Sequence, residues 1–137
     1  MNLKVLAIDD DHAMTELLTL LLKTHGFNVL TANTGEDGVA ISKKELPDVI
    51  ILDLMMPGMD GWQVCNKIRS TSNVPILVFS ALDSPGMVAS ALDAGADDYL
   101  VKPVPSGVLI AHLNKLTRRP GMNNGDKFKV QTAPISL

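Results

Sequence analysis

The sequence predicts a doubly wound α/β fold, in which a five-stranded parallel sheet carries helices on both faces. Short apolar, β-prone runs alternate five times with segments of helical periodicity, and no internal repeat is visible. The run Val49–Leu52 is apolar at every position, which is typical of a central parallel strand buried on both faces. In such sheets, functional residues gather at the carboxyl ends of the strands, beside the point where strand order reverses.

Each strand is predicted from an apolar run, at 3–8, 27–32, 49–52, 75–79 and 99–101. The helices are expected at about 12–25, 35–46, 60–70, 85–94 and 106–118. Thr34 and Ser84 stand where N-terminal caps belong, and Pro85 suits a first helical position. Gly26 and Gly95 stand where C-terminal caps belong.

The chain is expected to divide into a folded domain over residues 1–119 and a flexible tail or linker over residues 120–137. Pro120 and Gly121 should end the last helix, and the following segment has no periodicity. It also has too few large apolar groups to dock firmly. The alternative is that Phe128–Val130 begins the first strand of a further, DNA-binding domain.

Composition excludes several function classes. A net charge of −3 provides no sequence-wide basic field, so we expect no DNA binding by this chain alone. Cys65 is the only cysteine, which excludes an intrachain disulfide and indicates a small packing group. No apolar stretch approaches the roughly 18 residues of a membrane span, and the N-terminus reads directly into a strand without a signal peptide. We therefore expect a cytoplasmic protein with no membrane association.

Carboxylates follow two of the predicted strands. Asp9, Asp10 and Asp11 follow the first strand, and Asp53 follows the third. If these strands are neighbours, three carboxylates converge and repel one another, which raises their pKa values. Mg²⁺ relieves that repulsion, because it prefers oxygen ligands and usually binds one or two carboxylates together with water and phosphate oxygens. Asp11 is better explained as the N-terminal cap of the first helix.

The other strand ends carry groups that suit a phosphate. Ser80 and Ala81 follow the fourth strand, and Lys102 follows the fifth. The lysine supplies a compact positive charge and the serine a hydroxyl donor. Phosphoryl transfer onto a carboxylate depends mainly on positioning and charge neutralisation, so these groups together favour an aspartyl phosphate at Asp53.

Four stretches resemble the receiver domains of two-component response regulators in both order and spacing. They are Lys4–Asp11 (KVLAIDDD), Val49–Gly61 (VIILDLMMPGMDG), Pro75–Ala81 (PILVFSA) and Ala94–Pro103 (AGADDYLVKP). The resemblance covers about residues 3–118. It implies a flavodoxin-like sheet with strand order 2-1-3-4-5, and a signalling switch in a phosphorelay rather than an enzyme.

The resemblance assigns a role to each matching position. Asp53 falls at the phosphoacceptor, Asp10 at a direct Mg²⁺ ligand and Asp9 at an acid that acts through water. The backbone carbonyl of Met55 falls at a further metal-ligand position. Ser80, Ala81 and Lys102 correspond to the residues that contact the phosphoryl group. Ser80 and Tyr99 match the pair that switches on activation, and Pro103 matches a proline that often follows a cis bond.

The implied partners are a sensor histidine kinase or phosphotransfer protein and an output protein that the sequence does not identify. In the DNA-binding class of these regulators, paired charges on the fourth helix, fifth strand and fifth helix form homodimers. Asp97 and Asp98 fit that pattern, but the fourth helix has no Arg or Lys, and the fifth has Val108 and His112 where an acid and an arginine are usual. A homodimer through this face is expected to rest on apolar contact. The chain is either a stand-alone receiver or part of a longer regulator.

Three rival functions share parts of this pattern. A haloacid-dehalogenase-type phosphatase normally has a second Asp two residues after its nucleophile, where this chain has Met55. A flavodoxin-like flavin carrier needs a phosphate-binding loop after the first strand, where Asp9–Asp11 would repel a phosphate. A pseudo-receiver that serves only for docking usually lacks one or more site residues, and none is missing here.

Overall fold

The computed structural model describes residues 2–118 and 136–137. Five strands alternate with five helices: β1 Lys4–Ile8, α1 His12–Thr24, β2 Asn28–Ala32, α2 Gly35–Glu45, β3 Val49–Leu52, α3 Gly61–Arg69, β4 Ile76–Ser80, α4 Pro85–Asp93, β5 Asp98–Val101 and α5 Ser106–Leu116. All ten predicted elements are confirmed, with boundaries that shift by at most two residues. None of the helices in the described part of the chain is long and apolar enough to cross a membrane.

The five strands form one parallel sheet in the order β2-β1-β3-β4-β5, which confirms the predicted topology. β1 therefore lies between β2 and β3, and the strand order reverses there. Ile8 at the end of β1 is opposite Leu52 at the end of β3. The residues that follow these strands accordingly leave the sheet side by side.

Alternate residues of the strands build two separate cores. Leu6, Ile50 and Val78 face the core covered by α2, α3 and α4. Val5, Ile51 and Leu77 face the core covered by α1 and α5. Because β3 is central and contributes to both cores, all four of its residues are buried, and its continuous apolar run follows from that position.

The helix ends show the side-chain caps that the sequence predicts. Asp11 accepts hydrogen bonds from the backbone of Ala13 and Met14, and Thr34 and Ser84 cap α2 and α4. Gly26 and Gly95 adopt left-handed backbone conformations, with φ of 88° and 114°. These caps satisfy free N–H and C=O groups at the helix ends.

The C-terminal residues that the structure describes are anchored. The backbones of Leu137 and Val104 exchange two hydrogen bonds, at 2.9 and 3.2 Å, and the Leu137 side chain is buried in the core beneath α1 and α5. The expectation that 120–137 does not dock is thus wrong at its last two residues, because one leucine side chain and a short antiparallel bridge are enough to hold them. The remainder of that expectation, including the strand at Phe128–Val130, lies outside the described residues.

Gly61 makes the closest backbone approach at the functional edge of the sheet. A Cβ atom at Gly61 would lie 2.5 Å from the Leu54 Cα and 2.6 Å from the Asp53 carbonyl oxygen. We expect Gly61→Ala to lower the free energy of unfolding by about 1–3 kcal/mol, because the backbone must shift to make room. Urea denaturation measures this change. Gly86→Ala is the matched control, since a Cβ there meets nothing within 4 Å, and its unfolding midpoint should stay equal or rise.

Candidate functional site

The candidate site lies where β1 and β3 end. Asp9 follows β1 directly and Asp53 follows β3, and the Asp53 N–H donates to the Ile8 carbonyl at 3.0 Å. Both carboxylates are buried, with Asp9 3% and Asp53 8% exposed. The parallel register therefore places two acids side by side in a region that water reaches poorly.

Asp10 completes the acidic group from the loop after β1. One carboxylate oxygen from each of Asp9, Asp10 and Asp53 lies within 4.8 Å of the others, and Asp10 is exposed. The Asp9 Oδ1 accepts a hydrogen bond from the Asp11 N–H, and Asp11 caps α1 as predicted. An all-oxygen set that is open on one side matches the ligand preference of Mg²⁺, which keeps several water ligands.

Lys102 reaches the acidic group from the end of β5. Its Nζ lies 2.8 Å from the Asp9 Oδ2 and 3.3 Å from the Asp53 Oδ2. The ammonium also lies 5.3 Å from the centre of the Phe79 ring, which favours a cation in this position. The lysine therefore bridges the two buried carboxylates and compensates part of their charge.

The pKa values of Asp9 and Lys102 reflect two opposing effects, burial and the interaction between their charges. Burial raises the pKa of Asp9 above 3.8, against the opposing effects of Lys102 and the Asp11 N–H. Burial lowers the pKa of Lys102, but its hydrogen bond to Asp9 and the charge of Asp53 outweigh burial, and its pKa is raised overall. Lys102 is therefore charged at neutral pH, whereas ionised Asp9 carries an uncompensated cost.

Ser80 and Tyr99 lie on the same face of the sheet. Tyr99 pairs with Val78 in the register of β4 and β5, and Ser80 is two residues beyond Val78. Ser80 is fully buried, while Tyr99 is half-buried and donates its hydroxyl proton to the Leu82 carbonyl at 2.6 Å. The tyrosine is thus hydrogen bonded to the loop that follows Ser80. Ala81 is exposed at the start of that loop.

Met55 and Pro103 flank the site. The Met55 N–H donates to the Asp53 Oδ1 at 3.2 Å, and the Met55 side chain is 55% exposed. The Lys102–Pro103 peptide bond is cis, which confirms Pro103 as the cis position. The structure thus brings together all of the predicted site residues at one edge of the sheet.

Two residues that were not predicted from the sequence support the acidic loop, the loop after β1 that carries Asp9 and Asp10. The Asn33 Nδ2 donates to the Asp9 backbone carbonyl at 2.8 Å and to the Thr15 Oγ1 at 3.1 Å. Asn33 directly follows β2, so the rule that strand ends carry functional residues applies to it as well. Thr15 is buried in α1, and its hydroxyl has no sequence signal that separates it from an ordinary core threonine.

Cys65 is not part of the site. Its side chain is buried in the core beneath α3, and burial raises the pKa of its thiol to about 11. A thiol with that pKa stays protonated at neutral pH and is a poor nucleophile. This agrees with a packing role.

The sequence that carries the paired acids, the lysine and the hydroxyl matches a known protein family. Residues 5–114 match the family model described as the response regulator receiver domain. The chain belongs to this family. It is a receiver domain of two-component signalling, which confirms the resemblance in the sequence.

Curated relatives of this receiver domain are longer than the chain. It is 44% identical over 115 residues to the transcriptional regulatory protein AfsQ1 of Streptomyces coelicolor, covering 84% of this chain and 51% of that protein. It is 43% identical over 118 residues to the response regulator MprA of Mycobacterium leprae, covering 85% of this chain and 52% of that protein. The chain thus spans about half the length of these relatives.

Solved receiver structures share the fold. The BeF3-activated N-terminal receiver domain of Klebsiella pneumoniae RstA superposes with a TM-score of 0.82 at 32% identity, covering 85% of this chain and 99% of that one. A two-component response regulator from Clostridium difficile gives a TM-score of 0.84 at 29% identity, covering 88% of this chain and all of that one. These matches agree with the observed strand order of the receiver domain.

The raised pKa of Asp9 predicts how stability depends on pH without a divalent cation. Folding favours protonated Asp9, so its contribution is full below pH 3.8 and is lost as pH rises through the higher pKa of the folded protein. We expect Asp9→Asn, which mimics the protonated form, to stabilise the receiver domain in EDTA at pH 7 and to show a smaller gain near pH 4. Urea unfolding at the two pH values measures the difference.

The exposed carboxylate of Asp93 provides the control for this comparison. Asp93→Asn should leave the unfolding midpoint nearly unchanged at both pH values. A destabilised Asp9→Asn protein at pH 7 would show that the Lys102 ion pair outweighs the burial of Asp9, contrary to our expectation.

Proposed function

We propose that this receiver domain accepts a phosphoryl group on Asp53, in a reaction that requires Mg²⁺. The observation that supports this most directly is the position of the Asp53 carboxylate, which lies beside Asp9 and 3.3 Å from the Lys102 ammonium. The donor would be a sensor histidine kinase or a phosphotransfer protein, as expected for this family. The domain would act as a signalling switch rather than as a turnover enzyme, in the cytoplasm.

Asp9, Asp10, Asp53 and the backbone carbonyl of Met55 are the residues that would hold Mg²⁺. Their donor atoms are all oxygens, and the three carboxylate oxygens are close enough to share one ion. A bound Mg²⁺ would neutralise negative charge on the carboxylates and on the incoming phosphoryl group. Asp9 would act through a water ligand, because its Oδ2 is already hydrogen bonded to Lys102.

The residues of the chain perform the transfer by positioning. An oxygen of the Asp53 carboxylate attacks the phosphorus atom, so a new O–P bond forms while the bond from phosphorus to the donor breaks and its electron pair leaves with the donor. Lys102 carries the positive charge that pairs with the transferred phosphoryl oxygens. The Ser80 hydroxyl and the Ala81 backbone lie at the neighbouring strand end, where they can contact those oxygens.

Ser80 and Tyr99 would then report the phosphorylated state. The Ser80 hydroxyl moves to a phosphoryl oxygen, which leaves space for the Tyr99 ring to move further inward. The Tyr99 hydroxyl donates to the Leu82 carbonyl in the described structure, and this hydrogen bond would break as the ring moves inward. Such a switch works by shifting the populations of two existing conformations.

The output surface is proposed to be the face formed by α4, β5 and α5, where a homodimer or an output protein would bind. Within the described residues, Asp97 pairs with Arg69 at 2.7 Å, and Asp98 is hydrogen bonded to His112. These two acids are therefore already occupied within the chain. The large apolar side chains exposed on α4 and α5 are Met87, Leu92 and Val108. They support an apolar partner contact.

Control of transcription is the output class that the relatives favour, because AfsQ1 is named a transcriptional regulatory protein. The net charge of −3 makes DNA binding by this chain alone unfavourable. DNA contact would therefore require a partner or a further domain.

Phosphorylation of Asp53 is tested by incubating the protein with acetyl phosphate and MgCl₂ and measuring its intact mass. We expect the addition of one phosphoryl group, which is lost in excess EDTA and in Asp53→Asn. Asp93→Asn, which removes an exposed carboxylate at the last residue of α4, should be labelled like the wild type. An adduct on the Asp53→Asn protein would sink the assignment.

The switch is tested by comparing structures with and without beryllofluoride, a mimic of the phosphoryl group. We expect the Ser80 hydroxyl to approach the mimic and the Tyr99 hydroxyl to leave the Leu82 carbonyl. The Ser80→Ala variant should bind the mimic without moving Tyr99, because the hydroxyl that responds is absent. If the mimic binds to the wild type and both side chains stay in place, this protein has no such switch.

A further inference from the structure

We propose that Asn33 and Thr15 form a positioning pair that sets the Mg²⁺ affinity of the acidic site. The inference rests on the proposed function, since it concerns the metal that the phosphorylation of Asp53 requires. Neither residue contributes an acidic ligand. Both act through the backbone of the loop that carries Asp9 and Asp10.

The loop needs such support because the sheet ends one residue before it. β1 and β2 pair as far as Ile8 and Ala32, and the Asp9 N–H still donates to the Ala32 carbonyl at 3.0 Å. The next carbonyl along β1, that of Asp9, would have no strand partner. The Asn33 side-chain amide takes this place and donates to it at 2.8 Å. An amide side chain thus extends the hydrogen-bond ladder by one rung.

The bond to the Asp9 carbonyl controls the direction of Asp10. The carbonyl of Asp9 and the N–H of Asp10 belong to one rigid peptide plane. Fixing that carbonyl fixes the rotation of the plane, and therefore the path along which the Asp10 side chain leaves the backbone. Asp10 is exposed, so side-chain packing does little to orient it. Its carboxylate is consequently directed mainly by the backbone.

Thr15 makes Asn33 a fixed donor rather than a mobile one. The same Asn33 nitrogen donates to the Thr15 Oγ1 at 3.1 Å, so both of its hydrogens are used. The Thr15 hydroxyl in turn donates to the His12 carbonyl at 3.1 Å. Because Thr15 is 4% exposed in the first turns of α1, the pair ties the β2–α2 loop, the acidic loop and α1 together.

Removing either member should weaken Mg²⁺ binding more than it weakens the fold. Residues that orient metal ligands typically change metal affinity by about 10–100-fold when they are mutated. We expect Asn33→Ala to raise the Mg²⁺ dissociation constant about tenfold. Thr15→Val, which keeps the shape of the side chain, should give a smaller loss, and Thr15→Ser, which keeps the hydroxyl, should retain nearly wild-type affinity.

The experiment is a calorimetric titration of the metal-free full chain with MgCl₂, accompanied by urea unfolding in EDTA. Asn66→Ala is the matched control, because Asn66 is exposed on α3 and away from the acidic loop. In phosphorylation by acetyl phosphate, the Mg²⁺ concentration for half-maximal rate should rise in Asn33→Ala, while the rate at saturating Mg²⁺ should stay close to that of the wild type.

The outcomes separate this inference from the function on which it rests. A wild-type protein that takes up no Mg²⁺ would overturn the metal site and the positioning role together. Equal Mg²⁺ affinity in the wild type and Asn33→Ala, or a loss of unfolding free energy with unchanged affinity, would overturn the positioning role alone. If Asn33→Ala does not fold, equal affinities of Thr15→Val and Thr15→Ser would likewise contradict it.

Discussion

Two buried carboxylates at the ends of adjacent parallel strands are the constraint on which this structure depends. Asp9 and Asp53 leave the sheet side by side because Ile8 and Leu52 are opposite one another. Burial disfavours the ionised form of Asp9 and raises its pKa. Within the described residues, the fold reduces this cost with Lys102, a cation that contacts both acids. Because Lys102 compensates only part of the negative charge, the site still favours an additional cation. The proposed Mg²⁺-dependent phosphorylation of Asp53 needs this property.

The rest of the sheet holds in place the edge that carries Asp9 and Asp53. Each strand of the centre is buried on both faces, so the positions at which β1, β3 and β4 end are held by two hydrophobic cores. The loops beyond those ends are fixed by individual polar bonds, such as the cap at Asp11 and the amide of Asn33. Burial supplies the stability of the platform, while these polar bonds supply the direction of the functional side chains.

On the face formed by α4, β5 and α5, the acidic residues have a different role from those in the site. Asp97 and Asp98 have partners in their own chain, Arg69 and His112, and so they tie neighbouring elements together. The side chains left exposed on α4 are largely apolar or small. A contact made there would depend on shape and burial of apolar surface more than on charge pairing. The charge that this surface offers to a partner thus depends on the ion pairs and hydrogen bonds within the chain as much as on the residues that the surface contains.

Periodicity predicted the ten elements, and the residues at the strand ends suggested that Asp9, Asp53 and Lys102 converge. The order of the strands was implied by the resemblance to receiver domains. These features are readable because the burial of a strand and the capping of a helix leave marks at regular spacings in the sequence. The intrachain partners of Asp97 and Asp98, the docking of Leu137 and the amide bridge from Asn33 were not predicted. Each joins residues that are distant in sequence, and nothing in local spacing marks such a pair. The sequence by itself determined which groups gather at this edge, and the tertiary structure decided which of them touch, because hydrogen bonds and ion pairs depend on distances that only the packed chain defines.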